Sequence, residues 1–257
     1  MPAPQPADRE LPWLQPGDPF PPTSSAWGSN ERAPGLLAAG GALDVETLIR
    51  AYRTAVFPWF SSGQPILWWS PDPRMVLLTR EFRLHRSLRK TTQRFVDDLA
   101  CEIRVDTAFA RTIQACAAIS RPGQSGTWIV PDMVDAYQNL HAAGFAHSIE
   151  TWVRGELVGG LYCVAIGKAV FGESMFTLRP DASKIALAAL VAFCRQNGID
   201  MIDCQQNTRH LASLGAREMP RENLLKHVQN VADLAPPAWH FDVSWWDKLV
   251  TPEQVDA

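Results

Sequence analysis

Apolar positions recur along this chain in two rhythms, and the rhythm changes near residue 73. From Asp44 onward Val45, Leu48, Ile49 and Tyr52 follow helical spacing, with Asp44 placed to cap the helix. Pro58 ends that element. Around it lie turn-rich aromatic stretches, Phe57-Pro-Trp-Phe60 and Trp68-Trp-Ser-Pro-Asp-Pro-Arg74. Gly35-Leu-Leu-Ala-Ala-Gly-Gly41 reads as a glycine-punctuated turn, and residues 1–34, rich in proline, read as irregular. These features predict a small N-terminal domain over residues 1–73. After it the pattern is more regular. Met75–Leu78 reads as a strand, Phe82–Phe95 as a helix and Ile103–Val105 as a short strand. Asp106 is placed to cap a helix through Ile119, and Pro131 opens another that Gly144 closes. Three strands follow at His147–Val153, Leu157–Ile166 and Ala169–Phe176, with turns at Arg154-Gly155 and Gly167-Lys168. Ser183–Gln196 reads as a helix and Ile199–Gln205 as a strand. A helical turn ends at Gly215, and Pro220 opens a last helix.

Setting the first strand aside, the order is strand, two helices, three antiparallel strands, helix, strand, helix. It resembles the N-acetyltransferase-like (GNAT) fold, so the expected class is α+β: a small N-terminal domain, then residues 74–257 around a mostly antiparallel sheet. In that fold the strands before and after the third helix run parallel and splay, and an acyl donor enters the gap. Here those strands are Ala169–Phe176 and Ile199–Gln205.

Alternation along a strand puts Glu173 and Met175 on one face of the first, and Asp203 and Gln205 on one face of the second. Acids on central strands are costly unless paired, so two of them suggest either a site for a cation or a structural network. GNAT enzymes cradle the pyrophosphate of coenzyme A in a glycine-rich loop that opens the third helix. The matching stretch, Phe176-Thr-Leu-Arg-Pro-Asp-Ala-Ser-Lys184, has no glycine. That argues against coenzyme A and for another activated acyl group.

The net charge of −3 argues against a general nucleic-acid binder. Local clustering changes the picture. Arg83, Arg86, Lys90 and Arg94 fall on one helical face, with Arg89 nearby, while Leu84, Leu88 and Phe95 fall on another. Such a stripe suits phosphate contacts, which position a nucleic acid without reading its sequence, and it also suits a plain solvated surface. Ten tryptophans, several near turns, hint at an aromatic pocket. The five cysteines include no C-x-x-C pair and the six histidines no H-x-x-x-H pair, so free thiols and no metal site are expected. Cys204 points away from Asp203 and is expected to pack inertly. The start lacks a signal-peptide pattern and no apolar run is long enough to span a bilayer, so a cytoplasmic location is expected.

Several stretches together resemble the leucyl/phenylalanyl-tRNA–protein transferase family. They are Gly35–Gly41, Phe57–Phe60 with Trp68–Arg74, Gly126-Thr-Trp-Ile129, Ala146–Glu150 through Gly172–Phe176, and Asp203-Cys-Gln205 with Ser213–Ala216. The resemblance implies transfer of Leu or Phe, and less readily Met, from aminoacyl-tRNA to proteins that begin with Arg or Lys, marking them for degradation. It implies no cofactor and no metal. It further implies that Asp203 and Gln205 form the reaction-centre pair, and that Trp59, Trp128, Glu173, Met175 and Ile202 form the donor pocket. Arg86, Arg89, Lys90 and Arg94 match its basic tRNA-contacting segment. Two rivals are weighed against it: an acyl-CoA-dependent N-acetyltransferase, and a tRNA-binding adaptor without catalysis.

Overall fold

In the computed structural model, which describes residues 10–119 and 129–249, two sheets share one core. The first carries β1 (Trp13–Leu14), β2 (Leu36–Gly40), β3 (Phe57–Pro58) and β4 (Leu67–Trp69) in the order β1-β2-β4-β3, with helix α1 (Val45–Arg53) between β2 and β3. The segment expected as a turn at Gly35–Gly41 is therefore mostly strand. Its small residues let it lie flat, with Ala38 wholly buried opposite Trp68. Asp44 caps α1 as expected, accepting from the Thr47 N–H at 2.9 Å.

The remaining elements are β5 (Arg74–Leu78), α2 (Arg86–Asp97), β6 (Cys101–Val105), α3 (Phe109–Ala118), α4 (Pro131–Ala142), β7 (Ala146–Val153), β8 (Glu156–Ile166), β9 (Ala169–Thr177), α5 (Ala182–Gln196), β10 (Met201–Gln205), α6 (Arg209–Ser213), β11 (Arg217–Met219) and α7 (Arg221–Val231). They build a seven-stranded sheet ordered β11-β5-β10-β9-β8-β7-β6. Every pairing in it is antiparallel except β9 with β10. That parallel pair is held only by Ile202 opposite Val170 and Asp203 opposite Phe171. Beyond that point β9 and β10 are no longer paired, and the expected wedge opens. α5 crosses the sheet where Gly159 removes a side chain: a Cβ there would meet the Ala182 Cβ at 2.5 Å.

Two local expectations fail for physical reasons. The basic helix begins at Arg86 and not at Phe82, because residues 82–85 are used to dock the chain. Arg83 N–H donates to the Leu214 carbonyl at 2.9 Å, and the His85 ring nitrogen lies 2.6 Å from the Ser213 carbonyl. Asp106 does not cap α3. It adopts a left-handed backbone (φ 59°) and its carboxylate accepts from Ser148 N–H at 2.7 Å and meets His147 Nδ1 at 2.7 Å. Glu150 takes over the capping role, accepting from Ala108 N–H at 2.7 Å.

Candidate active site

A cavity of about 380 Å³ occupies the wedge between β9 and β10. Its walls are mostly apolar: Phe57 and Trp59 from the first sheet, Met175 from β9, Leu187 from α5, and Ile202 from β10. Glu173, Gln205 and His210 supply polarity. Strand alternation explains the β9 contribution, since Glu173 and Met175 share a face, as expected.

Glu173 is the focus of the polar end. Its Oε1 accepts from the Tyr52 hydroxyl at 2.8 Å and from Gln205 Nε2 at 2.9 Å, and its Oε2 accepts from the Tyr137 hydroxyl at 3.2 Å. The two tyrosine hydroxyls also touch. Burial pushes the Glu173 carboxyl up from its ordinary 4.5 to about 7, against the opposing pull of hydrogen bonds from Tyr52, Gln205 and Tyr137. Burial beside Glu173 raises both tyrosines well above their usual range, so they remain hydrogen-bond donors. Tyr137 is buried but not inert, and Tyr52 belongs to the same network. An apolar helix position carrying a phenol hydroxyl was the available signal, because a buried hydroxyl needs a partner.

β10 departs from simple alternation. Its ladder with β5 shifts between Asp203 and Gln205, and Gln205 takes a left-handed backbone (φ 63°). Asp203 therefore does not face the cavity with Gln205. It is 1% exposed and bound to Arg74, whose Nε donates to Oδ1 at 3.0 Å and whose Nη2 donates to Oδ2 at 2.7 Å. Oδ1 also accepts the Gln205 backbone N–H at 2.9 Å. The bulge turns Gln205 inward while Asp203 stays behind the strand. On the inward side sit Ile202 and Cys204. Burial raises the Cys204 thiol far above its usual range, so it remains protonated and is a poor nucleophile.

His210 was not singled out by the sequence. It lines the cavity from α6, and burial, with a contribution from Lys184, lowers its imidazole below the usual 6.5. Trp128 lies outside the described residues. On α2, Arg86, Arg89, Lys90 and Arg94 are all exposed, while Leu88 and Phe95 are buried beneath them. α5 opens with Asp181 in a left-handed conformation, its carboxylate bound to Lys184 at 2.7 Å. An acid at that helix start disfavours a phosphate.

Residues 76–229 match the model of the leucyl/phenylalanyl-tRNA protein transferase family, and residues 41–72 match the model of that family's N-terminal domain. The chain belongs to this family. A leucyl/phenylalanyl-tRNA–protein transferase of Polaromonas sp. (strain JS666) is 63% identical, covering 96% of each chain. One of Albidiferax ferrireducens is 62% identical over 95% of this chain and 96% of the relative. One of Paraburkholderia xenovorans is 56% identical over 94% and 99%. A solved GCN5-related N-acetyltransferase-like protein from Streptococcus suis shares 15% identity with a TM-score of 0.31, covering 68% of this chain and 63% of that one, a likeness too weak to bear on the site. Membership makes the chain a transferase.

Proposed function

We propose that this chain transfers Leu or Phe, and less readily Met, from aminoacyl-tRNA to the α-amino group of proteins that begin with Arg or Lys. The observation that carries this reading is the wedge cavity, apolar along most of its wall and ending in the Glu173–Gln205 pair. An apolar wall suits an aliphatic or aromatic donor side chain, and a carboxylate suits an amine. Trp59 offers an aromatic face for the terminal adenine, with Met175 and Ile202 flanking the aminoacyl group. Arg86, Arg89, Lys90 and Arg94 supply cations for tRNA phosphates.

The reaction is aminolysis of an ester. The acceptor nitrogen attacks the carbonyl carbon, a C–N bond forms, and the C–O bond to the ribose breaks. The amine gives up its proton and the departing ribose oxygen gains one. A free α-amino group has a pKa of about 7.7–8.0, so a useful neutral fraction exists near neutral pH and the ester is already activated. What the protein must supply is alignment and a proton acceptor. Gln205 donates its Nε2 to Glu173, and its amide oxygen is the acceptor it offers to the amine. Glu173, titrating near 7, is suited to take up the proton. Asp203 belongs to the reaction centre as the residue that holds Gln205 from behind. The product is a protein with an apolar first residue, read as a degradation mark, and the setting is the cytoplasm. No helix among the described residues is long and apolar enough to cross a membrane.

The test is incubation of the protein with radiolabelled Leu-tRNA and short peptides. Label is expected on peptides that begin with Arg or Lys and not on those that begin with Asp or Glu. Binding of charged tRNA with no label on any peptide would favour an adaptor. Acetyl transfer from acetyl-CoA would favour the acetyltransferase.

A further inference from the structure

Arg74 opens β5 and is 1% exposed, and it is not itself one of the residues that line the cavity. All three of its guanidinium nitrogens are bonded. Nε and Nη2 fork onto Asp203 at 3.0 and 2.7 Å, and Nη1 donates to the Ala55 carbonyl at 2.9 Å. The guanidinium carbon also lies 4.8 Å from the centre of the Phe57 ring, which lines the cavity on its other side. Asp203, held in this way, accepts the backbone N–H of Gln205 at 2.9 Å. Gln205 is a non-glycine residue with φ of 63°, a conformation that persists only where the surroundings impose it. That conformation carries its amide into the cavity and onto Glu173.

We propose that Arg74 is a positioning residue for the transfer reaction. Through Asp203 it fixes the left-handed turn at Gln205, and so the place of the Gln205 amide opposite Glu173. The inference rests on the reading above that this amide meets the acceptor amine. A planar fork anchored at a third nitrogen has one orientation. Lysine carries the same charge but offers a single rotatable head, so it keeps the ion pair and loses the alignment.

The experiment compares wild type, Arg74→Lys, Gln205→Ala and the double variant in the labelled-peptide assay, each shown folded by circular dichroism. Arg74→Lys is expected to lower kcat by about tenfold or more, since small misplacements at a reacting centre cost rate. KM for Leu-tRNA is expected to stay within about twofold, because the donor wall is untouched. In the Gln205→Ala background the lysine substitution is expected to cost nothing further, since the group it positions is gone. Wild-type kcat in folded Arg74→Lys, or losses that multiply in the double variant, would overturn the proposal. If Arg74→Lys does not fold, the neutral pair Arg74→Met/Asp203→Leu replaces it, because an apolar pair of similar volume often substitutes for a buried ion pair. That protein is expected to show the same loss of kcat, and full activity would overturn the proposal equally. Wild-type protein that labels no peptide would instead remove the functional reading, and this inference with it.

Discussion

At the scale of single residues, the site is governed by the cost of keeping a carboxylate among apolar neighbours. Glu173 rises from 4.5 to about 7, chiefly through burial. Between those values the folded protein holds a proton that the unfolded chain has released. Folding stability therefore falls as pH rises through this window, and stays lower above it. Glutamine at this position does not titrate. The stability of Glu173→Gln relative to wild type is expected to increase from pH 4.5 to 7 and then level off. The change is at most on the order of 3 kcal/mol, less in so far as cavity water screens the charge. Melting temperatures of both proteins across pH 4 to 8 check this, and a difference that does not vary with pH would contradict it. Residues at this scale were unevenly legible. Glu173, Met175, Ile202, Trp59 and Gln205 line one cavity. Asp203 does not, because a one-residue bulge reverses the face, and no pattern in Asp203-Cys-Gln205 announces a left-handed glutamine. Arg74 was visible in principle: a cation opening the apolar strand Met75–Leu78 demands a buried anion.

At the scale of elements, α2 shows what a helical pattern can and cannot say. The spacing of Arg86, Lys90 and Arg94 was enough to place a positive face on the solvent side, with Leu88 and Phe95 buried under it. It was not enough to place the helix start, because residues 82–85 obey contacts with the turn before β11 that lie far along the chain. The long strands β7 to β9 and helix α5 were legible because apolar runs bounded by turn glycines have few other solutions. β1 to β4 were not. They are short, and their pairing depends on tryptophans whose indoles bond to distant carbonyls, as Trp68 does to Gly40 at 2.9 Å. The exposed stripe makes a separable prediction. Lys90→Ala is expected to weaken tRNA binding similarly for different charged tRNAs. It should also reduce the slope of log affinity against log salt by about one. Its stability should change by no more than about 0.5 kcal/mol, since the side chain is exposed. Salt titrations of tRNA binding beside a thermal melt test both parts. An unchanged slope would remove Lys90 from the phosphate contacts.

At the scale of the whole molecule, the change of rhythm near residue 73 separates two sheets but not two cores. One continuous apolar cluster includes Leu37, Tyr52 and Trp68 from the first sheet and its helix, together with Tyr162 and Phe171 from the large sheet. The Tyr52 ring lies 5.0 Å from that of Phe171, and Arg53 reaches Asp233, after α7, at 2.7 Å. Function is divided across the same boundary. The first sheet contributes Phe57 and Trp59 to the cavity wall, α1 contributes Tyr52 to Glu173, and the Ala55 carbonyl anchors Arg74. A segment that shares its core with its neighbour has no independent unfolding to undergo. Denaturant unfolding is therefore expected to give one transition, with tryptophan fluorescence, far-UV circular dichroism and peptide labelling falling together. Five of the ten tryptophans, Trp13, Trp27, Trp59, Trp68 and Trp69, lie in or beside the first sheet, so an early loss of that sheet would show in the fluorescence. A fluorescence change that precedes the loss of helix signal would mean that the first sheet opens alone. Tyr52 and the Ala55 carbonyl would then leave Glu173 and Arg74 before the large sheet melts, and labelling activity should follow the fluorescence and not the circular dichroism.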